Sequence, residues 1–350
     1  MKATSLNILA WKKLKKNKLA IFSFYLIVLA ILLGTFAVVI SPDSSKNANQ
    51  MHIELATKKP LTKITFLEMP KQEINEIPFF KALFFGQPLK VKRIPIEKYI
   101  IIERGLSYFP FQSELAKTYS GDYKITTQTF WLGTDKYGRD LLSRILYGMR
   151  ISLSVGFIAV FISLIIGITL GLIAGYFRGR TDDIIMWFVN VIWSIPTLLM
   201  VIAITLALGK GFWQVFVAVG LTMWVEVARI VRGQVLAIRE LEYVEAGTAL
   251  AYKPFRIIFK HILPNVLGPV IVISAANFAA AILIEAGLSF LGIGAQPPTP
   301  SWGGMIKDHY AYIIMDKAYL AIIPGMAIMT LVLAFMLLGN GLRDAFDVKN

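Results

Sequence analysis

The sequence contains no cysteine and only three histidines, and charged residues make up only 17% of its 350 residues. Without cysteine, disulfides, thiolate metal sites and thiol nucleophiles are excluded. The histidines are scattered, no H-E-x-x-H motif occurs, and Ser289 has no histidine within a span to act as its base. No G-x-x-x-x-G-K-[ST] phosphate-binding loop is present either. These absences argue against an enzyme and predict that the chain binds no metal and no cofactor.

Long apolar runs are what the sequence has instead. Hydrophobic residues make up 56% of the chain, and the mean hydropathy is +0.63. A bilayer core of about 30 Å needs roughly 20 apolar residues in a helix. Six runs meet or approach that length, namely 20–40, 151–176, 184–208, 212–227, 266–293 and 319–338. The sequence therefore predicts an all-α polytopic membrane protein with six transmembrane helices, the first of them uncleaved because its apolar run is too long for a signal peptide.

The distribution of basic residues predicts the orientation. The 19 residues before the first run carry six lysines and no acid (Lys2, Lys12, Lys13, Lys15, Lys16 and Lys18), so the N-terminus is expected in the cytosol. Six spans then return the C-terminus, 342–350, to the same side. The net charge of +14 is explained by this membrane bias, so no nucleic-acid partner is expected.

The segment 42–149 has the composition of a soluble domain and separates the first two spans. It is expected outside the membrane on the far side from the termini. Its short apolar stretches include IPFF, ALFFG and VKRIPIEKYIII, and the last alternates loosely enough to predict a strand. We expect an extracytoplasmic insertion of α+β or β type, followed by a transmembrane domain over 150–341.

Two features inside the spans concern packing. Gly167, Gly171 and Gly175 lie four residues apart, which leaves one helix face almost without side chains. That face serves either packing within the chain or dimerisation, and the residues alone leave both open. Pro196 removes a backbone donor and is expected to bend the third span.

Two acids lie in or beside the apolar runs. Glu285 lies deep within the fifth run, where a carboxylate costs on the order of 3 kcal/mol unless it is partnered or hydrated. It either faces a translocation pathway, together with Ser289, or forms a packing hydrogen bond to Ser289 one turn on. Glu226, three residues before Arg229 at the end of the fourth run, is expected to form a structural ion pair with it.

The cytosolic loop 240–264 is predicted to form two short helices. The first extends to about Tyr252, Pro254 starts the second, and Pro264 breaks the chain before the fifth span. On the first helix, Glu242, Glu245 and Ala249 share a face, and small neighbours leave room for another surface to dock.

This loop resembles the coupling loop of permease subunits in ATP-binding-cassette importers. The family pattern is Glu-Ala-Ala, three residues, Gly, nine residues, then Ile-x-Leu-Pro. Glu245, Ala246, Leu263 and Pro264 match, whereas Gly247, Ala251 and His261 stand in the second Ala, the Gly and the Ile places. Alanine takes a left-handed turn less readily than glycine, so a sharp bend at residue 251 is not expected.

Further blocks strengthen the resemblance. The blocks, in chain order, are WLGTDKYGRDLLSRILYGMRISLSVG, GLIAGYFRGRTDD, EYVEAG, FKHILPN, GLSFLGIGAQPPTPSWGGMI and LRDAF. Together they are similar to the C-type permease subunit of peptide and nickel importers, over roughly residue 131 to the end plus the first span. The resemblance implies a type I importer fold. The ATPase-coupling residues it implies are Glu242, Tyr243, Glu245, Ala246, Gly247, Ala249, Ala251, His261, Leu263 and Pro264.

The same resemblance implies the partners. They are a homologous second permease forming a heterodimer, two cytosolic subunits that bind ATP and Mg, an extracytoplasmic substrate-binding protein, and the lipid of a bacterial or archaeal cytoplasmic membrane. The expected cargo is a peptide. Nickel or another small solute is the alternative within the family, and an ion-gradient-driven transporter is the alternative outside it, with Glu285 as its one candidate coupling group.

Overall fold

A computed structural model describes residues 6–71, 78, 82, 86–103, 105–209 and 211–347, with side chains from residue 10 onward. Most of IPFF and ALFFG, and Lys2 with the N-terminal residues before Leu6, lie outside the described residues. The chain divides into two compact units: the first comprises Met1–Ala30, Ser152–Gly294 and Ile328–Asn350, and the second comprises Ile31–Ile151 and Ala295–Ala327.

The described chain is mostly helical, with one β-sheet. The helices are α1 (Leu6–Lys16), α2 (Lys18–Thr35), α3 (Ala37–Ile40), α4 (Leu141–Phe177), α5 (Gly179–Trp193), α6 (Thr197–Leu208), α7 (Phe212–Arg239), α8 (Glu242–Ala249), α9 (Pro254–Ile257), α10 (Leu263–Phe290), α11 (Trp302–His309) and α12 (Tyr319–Phe346). The strands are β1 (Thr62–Pro70), β2 (Val91–Ile102), β3 (Gly105–Pro110), β4 (Lys117–Tyr119) and β5 (Lys124–Phe130).

Five helical segments of the described chain are long and apolar enough to cross a membrane. They are α2, α4, α7, the continuous stretch Pro254–Phe290 and α12, and a sixth candidate arises if the bent pair of α5 and α6 counts as one span. A polytopic helical membrane protein is therefore confirmed. Helix ends differ from the predicted spans, because α4 begins at Leu141 inside the predicted insertion and α7 continues to Arg239.

The third predicted span is broken at Pro196. Helices α5 and α6 meet at 91°, and Pro196 is the residue that precedes α6. Proline cannot donate a backbone hydrogen bond to the preceding turn, so the helix ends at Trp193 and restarts at Thr197. The predicted bend is confirmed, and it divides the predicted span into two separate helices.

The glycine stripe of α4 packs against α7 in the same unit. A Cβ added at Gly171 would lie 2.7 Å from the carbonyl oxygen of Ala228 and 2.7 Å from Cβ of Val231. At Gly167 it would lie 2.5 Å from Cβ of Val227. Gly175 has the same relation to Val235 and the Arg232 carbonyl. The sequence left open whether this glycine face packs within the chain or forms a dimer. In the structure it packs within the chain, and the backbones of α4 and α7 approach each other closely.

An ion pair holds the start of α5 to α7. Asp182 is buried, and its two carboxylate oxygens accept hydrogen bonds of 2.5 and 2.6 Å from Nε and Nη2 of Arg232. The bidentate geometry is the strong form of this contact. It pairs the two charges at the point where the apolar run of α7 gives way to basic residues.

In the second unit, the segment between α3 and α4 forms a five-stranded antiparallel sheet with the strand order β4-β3-β2-β1-β5. The strand predicted over VKRIPIEKYIII is β2, so this prediction is confirmed. Apolar residues of β1 alternate between two clusters, with Leu67 and Met69 in one and Ile64 and Phe66 in the other. Both faces of β1 are therefore buried.

The GTDKYGRD turn before α4 is fixed by a buried ion pair. Nε of Arg139 donates to Oδ2 of Asp135 at 2.6 Å, and Asp140 accepts hydrogen bonds from the backbone and hydroxyl of Ser143 in the first turn of α4. Trp302 of α11 is also buried, and its indole N–H donates to the carbonyl of Ile145 at 3.0 Å. Its role is internal packing within the second unit.

The glycine contacts predict a selective effect of adding one methyl group. Gly171→Ala should destabilise the purified chain by about 1–3 kcal/mol, because the new Cβ overlaps the Ala228 carbonyl and Val231. Gly233→Ala, in α7, is the matched control, since a Cβ there meets nothing within 4 Å. This control should be neutral or stabilising by up to about 1 kcal/mol through helix propensity. Thermal unfolding in detergent measures both, and equal effects would contradict the packing assignment.

Candidate coupling loop and intramembrane carboxylates

Helix α8 presents five of its six residues predicted for coupling on one open side, and the sixth, Gly247, is buried. Glu242 and Glu245 occupy its first turn, where negative charge interacts favourably with the helix dipole. Both are exposed, as are Tyr243, Ala246 and Ala249. Only Val244 and Gly247 of the helix are buried. The acids and small residues expected to share a face therefore lie together at the surface of the chain.

A left-handed residue ends α8. Ala251 has φ of +53°, the backbone N–H of Tyr252 donates to the carbonyl of Gly247, and that of Ala251 donates to Thr248. This pair of bonds is the Schellman arrangement, which satisfies the last carbonyls of a helix and usually has glycine at the left-handed position. The expectation that alanine would prevent a sharp bend at residue 251 was wrong. The hydrogen bonds and the packing of Tyr252 outweigh the steric cost on Cβ.

The chain does not break at Pro264, contrary to the prediction. Helix α9 begins at Pro254, continues through a π-helical turn at Ile258–Ile262, and runs directly into α10, which begins at Leu263. Pro264 follows this π-helical turn by two residues, inside the continuous helical segment. The π turn provides the adjustment that a straight α-helix would need to accept this proline. The second helix of the loop is thus the N-terminal end of the candidate span Pro254–Phe290.

Side-chain contacts hold the two arms of the loop together. The ring of His261 stacks on Tyr252 at 6.1 Å, and the guanidinium of Arg256 lies 4.1 Å from the Tyr252 ring centre. Across the loop, Nδ2 of Asn265 donates to the Tyr243 hydroxyl at 3.1 Å. Partial burial raises the pKa of Tyr243. His261 therefore has a structural contact on the inner side of the loop.

A continuous apolar cluster anchors the loop to the membrane helices. Val244 of α8 and Ile257 of α9 are buried at 2% and 1% exposure. They belong to the same cluster as residues of α7 and α10, which are Val227, Val231, Val235, Ile238, Val266 and Val270. Buried clusters are packed at near-crystalline density and move as a body. The loop therefore shares one buried core with α7 and α10.

The outer side of the loop also carries large apolar side chains, which the sequence analysis did not single out. Leu250 is 66% exposed and Phe255 is 70% exposed. Phe255 contacts Phe259, itself exposed, with 4.3 Å between the ring centres. Exposed apolar groups of this kind mark a contact with another protein or with a membrane. The sequence did not reveal this group of apolar side chains, because they come together only where the turn at Ala251 places α9 beside α8.

Glu285 is buried in α10, at 1% exposure. Its Oε1 accepts a hydrogen bond of 2.7 Å from the Ser289 hydroxyl one turn on, and Ser152 of α4 lies 3.5 Å from Oε2. This geometry is that of the packing alternative considered for Glu285. A role of Glu285 and Ser289 in a pathway stays a prediction.

Glu226 and Arg229 do not form the predicted ion pair. Within the described chain, the guanidinium of Arg229 stacks 4.1 Å from the ring centre of Trp193 instead. Glu226 is exposed and lines a cavity beside the break between α5 and α6. The prediction failed because it considered only neighbours along one helix, whereas Arg229 contacts Trp193 of α5.

Comparisons with known proteins agree with this architecture. Residues 167–349 match the family described as the binding-protein-dependent transport system inner membrane component, and residues 5–60 match the N-terminal transmembrane domain of oligopeptide transport permease C.

Three curated relatives illustrate the similarity. The glutathione transport system permease protein GsiD of Pectobacterium atrosepticum is 40% identical over 240 residues, which is 69% of this chain and 79% of the relative. From Bacillus subtilis, the dipeptide permease protein DppC is 45% identical (63% of this chain, 68% of the relative), and the oligopeptide permease protein OppC is 40% identical (65% and 74%). An inward-facing MetNI methionine ABC transporter structure covers 58% of this chain and 96% of its own, with 20% identity and a TM-score of 0.47.

The left-handed Ala251 predicts an unusual gain from glycine. Ala251→Gly should stabilise the end of α8 by about 1 kcal/mol, because glycine adopts positive φ without the Cβ clash. Amide hydrogen exchange at Ala251 and Tyr252 should slow about fivefold. Ala249→Gly, the same change inside α8, should instead accelerate exchange, since glycine costs about 1 kcal/mol within a helix. The same sign of effect at both positions would contradict the assigned turn.

Proposed function

Because the chain belongs to the family of binding-protein-dependent transport system inner membrane components, we propose that it forms half of the translocation pathway of an ATP-driven peptide importer. The chain is a multi-pass membrane permease and not an enzyme. In this proposal it couples the pathway to cytosolic ATPase subunits through the loop around Glu245. The observation that carries the proposal is the exposed helix α8, set on a buried base that continues into α7 and α10.

Peptide cargo is supported by the relatives. Those named above are permease proteins for dipeptides, for oligopeptides and for glutathione, which is itself a tripeptide. The proposal therefore favours a peptide over nickel, the alternative within the same wider family.

The docking chemistry follows from the exposed side of the loop. Glu242 and Glu245 supply negative charge, while Leu250, Phe255 and Phe259 supply apolar contact area. A complementary surface on an ATPase subunit would be a groove with basic residues at its rim and an apolar floor, in the manner of helix-in-groove recognition. Closure of two ATPase subunits would move this loop, and the buried cluster would pass the motion to the spans.

The rest of the assembly is proposed on the same basis. A homologous second permease completes the pathway as a heterodimer, an extracytoplasmic binding protein delivers the peptide, and ATP and Mg bind to the ATPase subunits. The membrane would be a bacterial or archaeal cytoplasmic membrane, crossed by six spans with α5 and α6 counted as one. The lysines of α1 support cytosolic termini, and the sheet between α3 and α4 then lies outside.

Replacing Glu245 tests the proposal. Glu245→Gln should lower ATP-dependent peptide uptake about tenfold or more, because a charge-assisted contact at the ATPase interface is lost. Uptake by proteoliposomes containing the complete importer, with ATPase activity measured in parallel, gives the result.

The matched control is Asp183→Asn, which removes an equally exposed carboxylate from α5, outside the loop. It should leave uptake unchanged. Normal coupled uptake in Glu245→Gln would contradict the coupling role, and copurification of the chain without any ATPase subunit would contradict the importer assignment itself.

A further inference from the structure

Glu226 is an acid within α7, one of the candidate membrane spans. It is near the middle of α7, about 20 Å along the axis from Phe212 at a rise of about 1.5 Å per residue, against a hydrocarbon core of about 30 Å. A carboxylate facing lipid at such depth costs on the order of 3 kcal/mol. An exposed carboxylate at this position therefore requires water or a cationic partner.

The chain itself supplies no such partner among its described residues. Arg229, the cation one turn away, is stacked on Trp193, and Arg232 is held by Asp182. No ion pair of the described chain includes Glu226. The acid is thus the one charged group of this part of α7 left available to something that comes from outside the chain.

Glu226 faces a defined cavity of about 190 Å³. The cavity lies where α5 and α6 break apart, and residues of α5, α6, α7 and α10 form its walls: they include Trp193, Thr197, Met200, Thr222 and Ile284. Its volume equals about six water molecules, enough for one end of a peptide but not for a long peptide. Thr222 lies one turn from Glu226 on the same helix face, and its hydroxyl donates to the Val219 carbonyl, so its oxygen has acceptor capacity for an incoming N–H.

We propose that Glu226 lines the translocation pathway and binds the ammonium group at the amino terminus of the transported peptide. This inference rests on the peptide-importer function proposed above and names the group that recognises the cargo. The confined cavity strengthens the attraction between carboxylate and ammonium relative to bulk water, and its small size admits only the terminal part of the cargo. The remainder of the peptide is left uncontacted here, so one site serves many sequences.

The absence of cysteine permits a charge-rescue experiment on the complete importer. Glu226→Cys introduces the only thiol of this chain, and two water-soluble methanethiosulfonate reagents then attach either a sulfonate or a trimethylammonium group. The readout is the initial rate of ATP-dependent uptake of a labelled dipeptide with a free amino terminus. The unmodified chain is the blank for thiols on other subunits, and Leu221→Cys, in α7 but outside the cavity, is the matched control.

Glu226→Cys should lower uptake about tenfold at subsaturating peptide, the sulfonate should restore most of it, and the trimethylammonium should not. Both reagents should leave Leu221→Cys unchanged. Equal uptake with the two adducts, or failure of both reagents to modify residue 226, overturns the assignment of Glu226. The importer proposal fails separately, and only if the unmodified complex shows no ATP-dependent peptide uptake.

Discussion

The close approach of α4 and α7 at three glycines is the constraint on which the packing of the first unit depends. Any side chain at Gly171 would occupy the space of the Ala228 carbonyl, so the two backbones fix each other's rotation and depth. Helix–helix association in lipid lacks a hydrophobic driving force and relies on such contact. Because α7 leads into the coupling loop and carries Glu226, its position fixes both candidate sites.

The way α7 ends makes the loop mechanically useful. An exposed eight-residue helix joined by flexible linkers would absorb the motion of a partner. Here the Schellman turn at Ala251 folds α9 back under α8, and the buried side chains of Val244 and Ile257 join the cluster between α7 and α10. In the proposed function, a displacement applied at Glu245 would therefore move two spans together, since packed cores shift as bodies and do not deform gradually.

The apolar spans, the glycine packing face and the bend at Pro196 could be predicted from the sequence, because each depends on residues that are close together along the chain. Helix ends and the turn at Ala251 could not, because they depend on distant partners. Arg229 and Arg232 end the apolar run but not the helix, because arginine is a good helix former, and their contacts with Trp193 and Asp182 are made to α5. Ala251 adopts the left-handed conformation usual for glycine because the backbone N–H groups of Ala251 and Tyr252 donate to carbonyls of α8.

The same distribution of charge explains why one acid of α7 differs from its neighbours. Charged groups follow at residues 226, 229 and 232, about one turn apart, and an α-helix turns such positions to adjacent directions. Two of them meet partners on α5 because α5 packs on that side. The third meets the gap that Pro196 opens between α5 and α6, so the break that costs backbone hydrogen bonds also creates the space in front of Glu226. A continuous α5–α6 helix would fill that space with side chains, and the carboxylate would then have to be neutralised or removed.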